Sequence, residues 1–442
     1  MLQSCHCSWP SRKPISCQRP RIHQIVNAES FTHEKIAGAV PFDWGHSTPA
    51  PTFAAGSNPE RSPARTARAF IAPDAVAFGE SPADATPTLG LVRRHGPAGP
   101  FASQPGRRLG RWMCDEVLGR MGEHFEEIYS AEGRPSIPPE TLLKGKVLQA
   151  LYTLRSDRQL CARLQTDLMF RWFVDLSLDQ PVFDASTYSK NQERLLRREV
   201  ADLFFSEVVI LARKHGWVSD DHFSVDGTLI EAWASMKSFR KKGDDGGPGG
   251  GNGWSDFRGE KRSNETHAST TDPEAKLLRK GNGKEARLCF AGHATMENRN
   301  GLCVLFDVKP AVGAPESAVA VEHMSELQNR GFDPRTFGAD RGYHTKEFVS
   351  GARERGIVPH PARKDGQKTL HVLLTAAHAA SQKVRKRIEE IFGWSKTTGC
   401  FRKSRYRGVE RTHAQGQYVV ASWNLVHMAK LMTGAPPEAM RA

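Results

Sequence analysis

The 442-residue chain carries 62 Lys and Arg residues against 49 Asp and Glu, a net charge of +13 at pH 7. That length allows two or three domains with a sizeable core, and the basic excess points to a polyanionic partner, usually nucleic acid. No apolar run approaches the roughly 20 residues a spanning helix needs, which argues against a membrane protein. Eight scattered cysteines fit a reducing cytoplasm.

Residues 1–105 are rich in Pro, Ala, Gly and Ser and hold no sustained period of 2 or 3.6. They read as a disordered or mis-assigned extension. Cys5, Cys7, Cys17 and His23 cluster there, but C-x-C is not zinc-finger spacing. Order begins near Arg111. Val117, Leu118, Met121, Phe125 and Ile128 recur at helical spacing, and Pro138-Pro139 opens a second helix whose apolar face runs from Leu142 to Tyr152. A break at Arg155-Ser156 leads to a third helix at Asp157–Leu164, giving a helix–turn–helix-like pair with Arg155 and Arg158 beside the turn. Ser186-Thr187 is read as the cap of a fourth helix. A basic helical module suits DNA binding, and an ordinary helical bundle with solvated arginines fits the pattern equally well.

From Phe223 the period changes to that of strands. FSVDGTLIEAW, LCFAGHATM at Leu288–Met296 and LCVLFDV at Leu302–Val308 are strand-like, with Asn300-Gly301 as a hairpin turn. A helix at Glu316–Arg330, a strand at Phe337–Asp340, a helix at Lys346–Arg355 and a strand at Ile357–His360 follow. Hairpin strands followed by alternating helix and strand predict an α/β domain with a mixed sheet. A polar, glycine-rich insertion at about 238–284 lacks the lysine of a phosphate-binding loop and reads as flexible.

Three acids stand out. Asp226 lies inside an apolar strand, where aspartate is disfavoured. Asp340 ends another strand before Arg341-Gly342, the kind of exit that carries active-site carboxylates in α/β sheets. Glu389 belongs to the stretch QKVRKRIEEIFGWSKTTGCFRKSRYR, read as one helix with a basic tail, with Arg385 and Lys396 along the same face. A solvated face of salt bridges accounts for that helix taken alone. Together the acids supply what two divalent ions roughly 3.5–4 Å apart require, and hard oxygen ligands suit Mg²⁺ or Mn²⁺.

FSVDGTLIEAWASMKSF, DFRGEKRSNETHASTTDPEAKL, GADRGY and RKRIEEIFGWSKT read like signature blocks of one family, and GRPSIPPETLL with FRWFVDLSLD is similar to its N-terminal helical domain. From about Met113 to Met432 the chain resembles an insertion-sequence DDE transposase of the IS-five group, close to the IS-four group. The resemblance implies an RNase H-like catalytic domain at 220–432 with a mixed sheet, preceded by an all-α DNA-binding domain at 106–215 and followed by a short tail at 433–442. It implies Asp226, Asp340 and Glu389 as catalytic, metal-binding residues for two Mg²⁺ or Mn²⁺ ions. Arg385 and Lys396 fall on a Y-x2-R-x3-E-x6-K pattern expected to hold DNA phosphates, and Gln382 stands where its tyrosine would be. Arg402, Lys403 and Arg405 in the basic tail, with Arg155 and Arg158, complete the expected DNA contacts. The expected partners are double-stranded DNA, as element ends and target, and a second copy of the chain, in the nucleoid-bearing cytoplasm of a bacterium. The expected function is cleavage at terminal inverted repeats followed by strand transfer. An RNase H-like nuclease without joining and a catalytically dead DNA-binding regulator are the alternatives.

Overall fold

The structure, a computed structural model, describes residues 105–128, 136–243, 262–279, 283, 285–312, 315–364, 372 and 374–434. The N-terminal cysteine cluster, most of the extension, the centre of the glycine-rich insertion and the last eight residues lie outside them.

Among the described residues seven α-helices come first: α1 (Pro105–Arg120), α2 (Gly122–Ile128), α3 (Pro139–Leu151), α4 (Asp157–Thr166), α5 (Leu168–Phe173), α6 (Ala185–Asn191) and α7 (Arg198–Lys214). Proline sits at the start of α3, where its missing N–H leaves no bond unmade. Ser156 caps α4 by accepting from Gln159 N–H at 3.2 Å. The cap of α6 differs from the sequence expectation. Asp184, not Ser186 or Thr187, accepts the orphan Ser186 N–H at 2.7 Å, because a carboxylate two residues earlier is the stronger acceptor.

The remaining elements are β1 (His222–Glu231), β2 (Phe239–Lys241), β3 (His267–Ser269), β4 (Lys276–Arg279), β5 (Ala286–Glu297), β6 (Leu302–Pro310), α8 (Glu316–Asn329), β7 (Thr336–Ala339), α9 (Lys346–Glu354), β8 (Val358–Pro361), α10 (Ala376–Val384), α11 (Ile388–Lys396) and α12 (Val409–Met432). The main sheet runs β6–β5–β1–β7–β8, and only β5 opposes the others. This is the mixed sheet that the sequence predicts. Gly301 supplies the positive φ of +73° at the β5–β6 turn. The insertion is not loop throughout. Its ends form the β2–β3 ribbon, and β4 pairs with the start of β5.

Two elements depart from the sequence reading. Arg385–Arg387 wind as a 3₁₀ turn between α10 and α11, so the stretch around Glu389 is not one regular helix. Three residues at 120° instead of 100° add roughly 60° of turn between Arg385 and Glu389. Helix α12, 24 residues long and almost wholly buried, follows where no helix was expected. Its polar residues hide its pattern, and they are buried because β6 is an edge strand. Trp423 Nε1 donates to Gly301 O at 3.1 Å, Gln417 Nε2 to Phe306 O at 2.9 Å, and Val308 N–H to His413 Nδ1 at 3.2 Å. Asn424 serves both backbone groups of Cys303, accepting from its N–H at 2.9 Å and donating to its C=O at 2.7 Å. The edge is thereby closed to other strands.

Replacing Asn424 by Ala leaves both groups of Cys303 buried and unpaired. The expected loss is about 2–4 kcal/mol of unfolding free energy in urea. A loss below about 0.5 kcal/mol, the range of ordinary surface changes, would mean that water reaches this edge.

Helix α12 also joins the helical region to the sheet. Tyr418 Oη donates to Leu195 O at 2.5 Å, and one buried apolar cluster extends from Met113 to Ala429. Among the described residues no helix is long and apolar enough to cross a membrane.

Candidate active site

β1 and β7 run parallel, with His222 opposite Thr336 and Ser224 opposite Gly338. Two residues further on, each chain reaches an aspartate. The same register therefore sets Asp226 beside Asp340 on one face of the sheet. β7 ends at Ala339, and Asp340 caps a 3₁₀ turn at Arg341–Tyr343 by accepting from Gly342 N–H. The Asp226 carboxylate accepts from Gly227 N–H at 2.8 Å. Each acid is thus held by a glycine amide, Asp226 midway along β1 and Asp340 just past the C-terminal end of β7.

Burial pushes the Asp226 carboxyl up to about 6, and the charges of Asp340 and Glu316 push the same way against Gly227 N–H and Arg385. Glu316 opens α8. The residue is exposed overall, yet its carboxyl reaches inward, with Oε1 2.9 Å from where a Cβ on Gly227 would stand. Its own carboxyl is raised by burial and then by Asp340. Three like charges share this corner, which makes the ionised state costly in the free chain.

That cost has a sign. The folded chain holds the Asp226 proton more tightly than the unfolded chain, whose carboxyl has the ordinary value of 3.8. The resulting stabilisation is complete below that value and is lost as pH rises through about 6. Asp226→Asn removes the charge that appears there. Without divalent ions at pH 8 it is expected to gain up to about 3 kcal/mol in unfolding free energy, and the gain should fade by pH 4. A pH-independent difference would show that the carboxyl is not strained by its neighbours.

The charge of Arg385 acts on Asp226 and favours its ionised form. Its Nε donates to Gln382 Oε1 at 2.8 Å, while Gln382 Nε2 donates to His360 O at 2.6 Å and Ala339 O at 3.4 Å. Gln382 therefore ties Arg385 to the ends of β7 and β8. Glu389 lies exposed in the first turn of α11. Among the described residues no three His, Cys, Asp or Glu side chains close into a group that could hold a metal ion, so Asp226, Asp340 and Glu389 are not a finished ligand set in this structure. The donors of the Asp226–Asp340 corner nonetheless fit a divalent cation. They are hard oxygens, adjacent, and mutually repelling until a cation neutralises them.

The basic residues divide by surroundings. Arg402 and Lys403 are exposed on a segment pinned to the end of β1, where Glu231 N–H donates to Arg402 O at 3.0 Å and Ser404 N–H to Glu231 O at 2.8 Å. Arg155 and Arg158 are exposed at the start of α4, and Lys396 is half-buried at the end of α11. Arg405 is turned inward. Its Nη1 donates to Leu154 O at 3.3 Å and its Nη2 to Gln149 Oε1 at 3.1 Å, which fastens this segment to α3.

Sequence reasoning missed Glu316 and Tyr343. An acid in the first turn of a helix has a commoner explanation in the helix dipole, and Tyr343 sits in a turn whose aspartate drew the attention.

Residues 100–194 match a family described as a transposase domain (DUF772), and residues 254–425 match the transposase DDE domain family. The second match takes in Asp340 and Glu389, and Asp226 falls between the two. Among solved structures, the piggyBac transposase synaptic complex with hairpin DNA is similar over 76% of this chain and 78% of that one, at 8% identity and a TM-score of 0.36. The Mos1 transposase paired-end complex with the left transposon end is similar over 65% and 88%, at 8% identity and a TM-score of 0.18. Curated protein sequences give no match.

Proposed function

The chain belongs to the DDE transposases, and we propose that it binds the terminal inverted repeats of an IS-five-group element, cuts them and joins the freed 3′ ends to target DNA. The observation that carries this reading is the parallel register that puts Asp226 beside Asp340, with Arg385, whose charge acts on Asp226, tied to Gln382.

Asp226 and Asp340, with Glu389 as third ligand once DNA is bound, would hold two Mg²⁺ or Mn²⁺ ions. When bound, these would supply Lewis-acid activation of the attacking hydroxyl and charge neutralisation at the scissile phosphate. The remaining work falls to the chain itself. The amides of Gly227 and Gly342 fix the two carboxylates. Arg385 offers its terminal guanidinium nitrogens to a phosphate, while Gln382 fixes the Nε side of the fork. Lys396 and the exposed Arg402 and Lys403 extend the positive surface beyond the carboxylates, and Arg155 and Arg158 supply phosphate contacts from the helical region, residues 106–215. A pair of copies would bring the two ends of one element together, in the cytoplasm and on the bacterial nucleoid.

The test is a duplex carrying one element end, incubated with the chain, Mg²⁺ and a plasmid target. Cutting at the end followed by joined product is expected. Cutting without joining would make the chain a nuclease, and binding without cutting would make it a regulator.

A further inference from the structure

Resting on the DNA-binding reading above, we propose that Trp233 stacks on a nucleobase of the bound DNA, beside a rigid basic surface formed by Arg402, Lys403, Lys237, Arg240 and Lys242. Trp233 lies two residues past the end of β1 and is 50% exposed. Among the described residues neither a ring nor a cation stacks on it. Trp112, also exposed, has the His215 ring against it at 6.1 Å. An indole is costly to leave in water, and an open aromatic face is what a base stacks on.

The chain around Trp233 is basic and free of competing acids. None occurs from Ala232 to Gly243 or from Phe401 to Arg407, and the five cations are exposed. The carboxylate of Glu231, the nearest acid in sequence, is taken by Arg287. The surface is also held in place. The bonds that Glu231 exchanges with Arg402 and Ser404 fix one segment beside the end of β1, and Arg405 N–H donates to Gln415 Oε1 at 3.0 Å. Arg240 sits on the β2–β3 ribbon, where the Ser238 and Ser269 hydroxyls meet at 2.7 Å and Phe239 stacks on His267 at 5.5 Å. Fixed cations select a polyanion, and the ring selects the one that carries flat π-faces, nucleic acid.

Reach places the contact. Trp233 is seven residues on from Asp226, so no more than about 25 Å of extended chain separates them. DNA rises about 3.4 Å per base pair, which puts the stacked base within about seven base pairs of a phosphate held at Asp226.

The experiment measures binding of the full chain to a fluorescent end-containing duplex by anisotropy, without divalent ions and over a range of KCl. Trp233→Ala should weaken binding about tenfold or more at every salt concentration while keeping the wild-type circular dichroism. Its slope of log affinity against log salt should match wild type, because no charge is lost, whereas Lys403→Gln should flatten that slope by about one. Trp233→Phe should bind within about threefold of wild type, and Trp233→Leu as weakly as Trp233→Ala, since stacking needs a ring. One abasic position within about seven base pairs of the cut should cost wild type as much as Trp233→Ala does, and cost that variant nothing further. Wild-type affinity in Trp233→Ala or Trp233→Leu, or the absence of such a position, would overturn the stacking role and leave DNA binding standing. A wild-type chain that binds no duplex would overturn the DNA reading itself.

Discussion

Asp226→Asn and Asp340→Asn should each reduce DNA cleavage in Mg²⁺ by at least about 10³-fold, with affinity for end-containing duplex nearly unchanged. The substitution keeps size and hydrogen-bonding shape and removes only the charge, so the Gly227 and Gly342 amides still find an acceptor. Binding of a hard cation depends on the charge of adjacent carboxylates, and Asn supplies none. Affinity for DNA has a separate origin, since it comes from lysine and arginine contacts to phosphates. The candidates for those contacts, Arg402, Lys403, Arg155 and Arg158, are exposed, and none is altered. Gel-shift and nicking assays on the same preparation separate the two effects. Cleavage above a few per cent of wild type in either variant would remove that aspartate from the chemistry.

Glu389→Gln is the second large expected effect, a loss of cleavage on the order of 10²-fold, against a near-wild-type rate for Glu390→Gln. Helical geometry sets the two apart even though both are exposed. Ile388, Ile391, Phe392 and Ser395 define the buried face of α11. At 100° per residue, Glu390 points roughly 150° from the middle of that face, and Glu389 roughly 110°. Glu389 therefore lies at the margin of the face, about 20° from Lys396 around the helix axis. Glu390→Gln should shift stability by no more than about 0.5 kcal/mol, as surface changes do. A reversed pair of cleavage rates would move the third ligand to Glu390.

Backbone patterns that depend on neighbouring residues alone were legible in the sequence. The hairpin at Asn300-Gly301, the proline start of α3 and the strands carrying Asp226 and Asp340 all follow from turn chemistry and side-chain period. An aspartate within or at the end of an apolar strand is a local anomaly, so two members of the site could be named without coordinates. Arg385 could be named because the resemblance carried it.

Only the tertiary structure decided the rest. Helix α12 looks too polar to be buried until β6 is seen to leave its edge groups for Trp423, Asn424, Gln417 and His413 to satisfy. Arg405 reads as one more basic residue until Gln149 of α3 and Leu154 just beyond that helix offer it two acceptors. The 3₁₀ turn at Arg385–Arg387 breaks a face that a uniform 100° rotation would have preserved. Glu316 lies 90 residues from Asp226 in sequence, and nothing local distinguishes it from an ordinary helix-opening acid. Each of these follows from groups that meet only after the sheet forms. Period and composition record what a residue prefers, whereas burial and charge at a site depend on what the fold brings beside it.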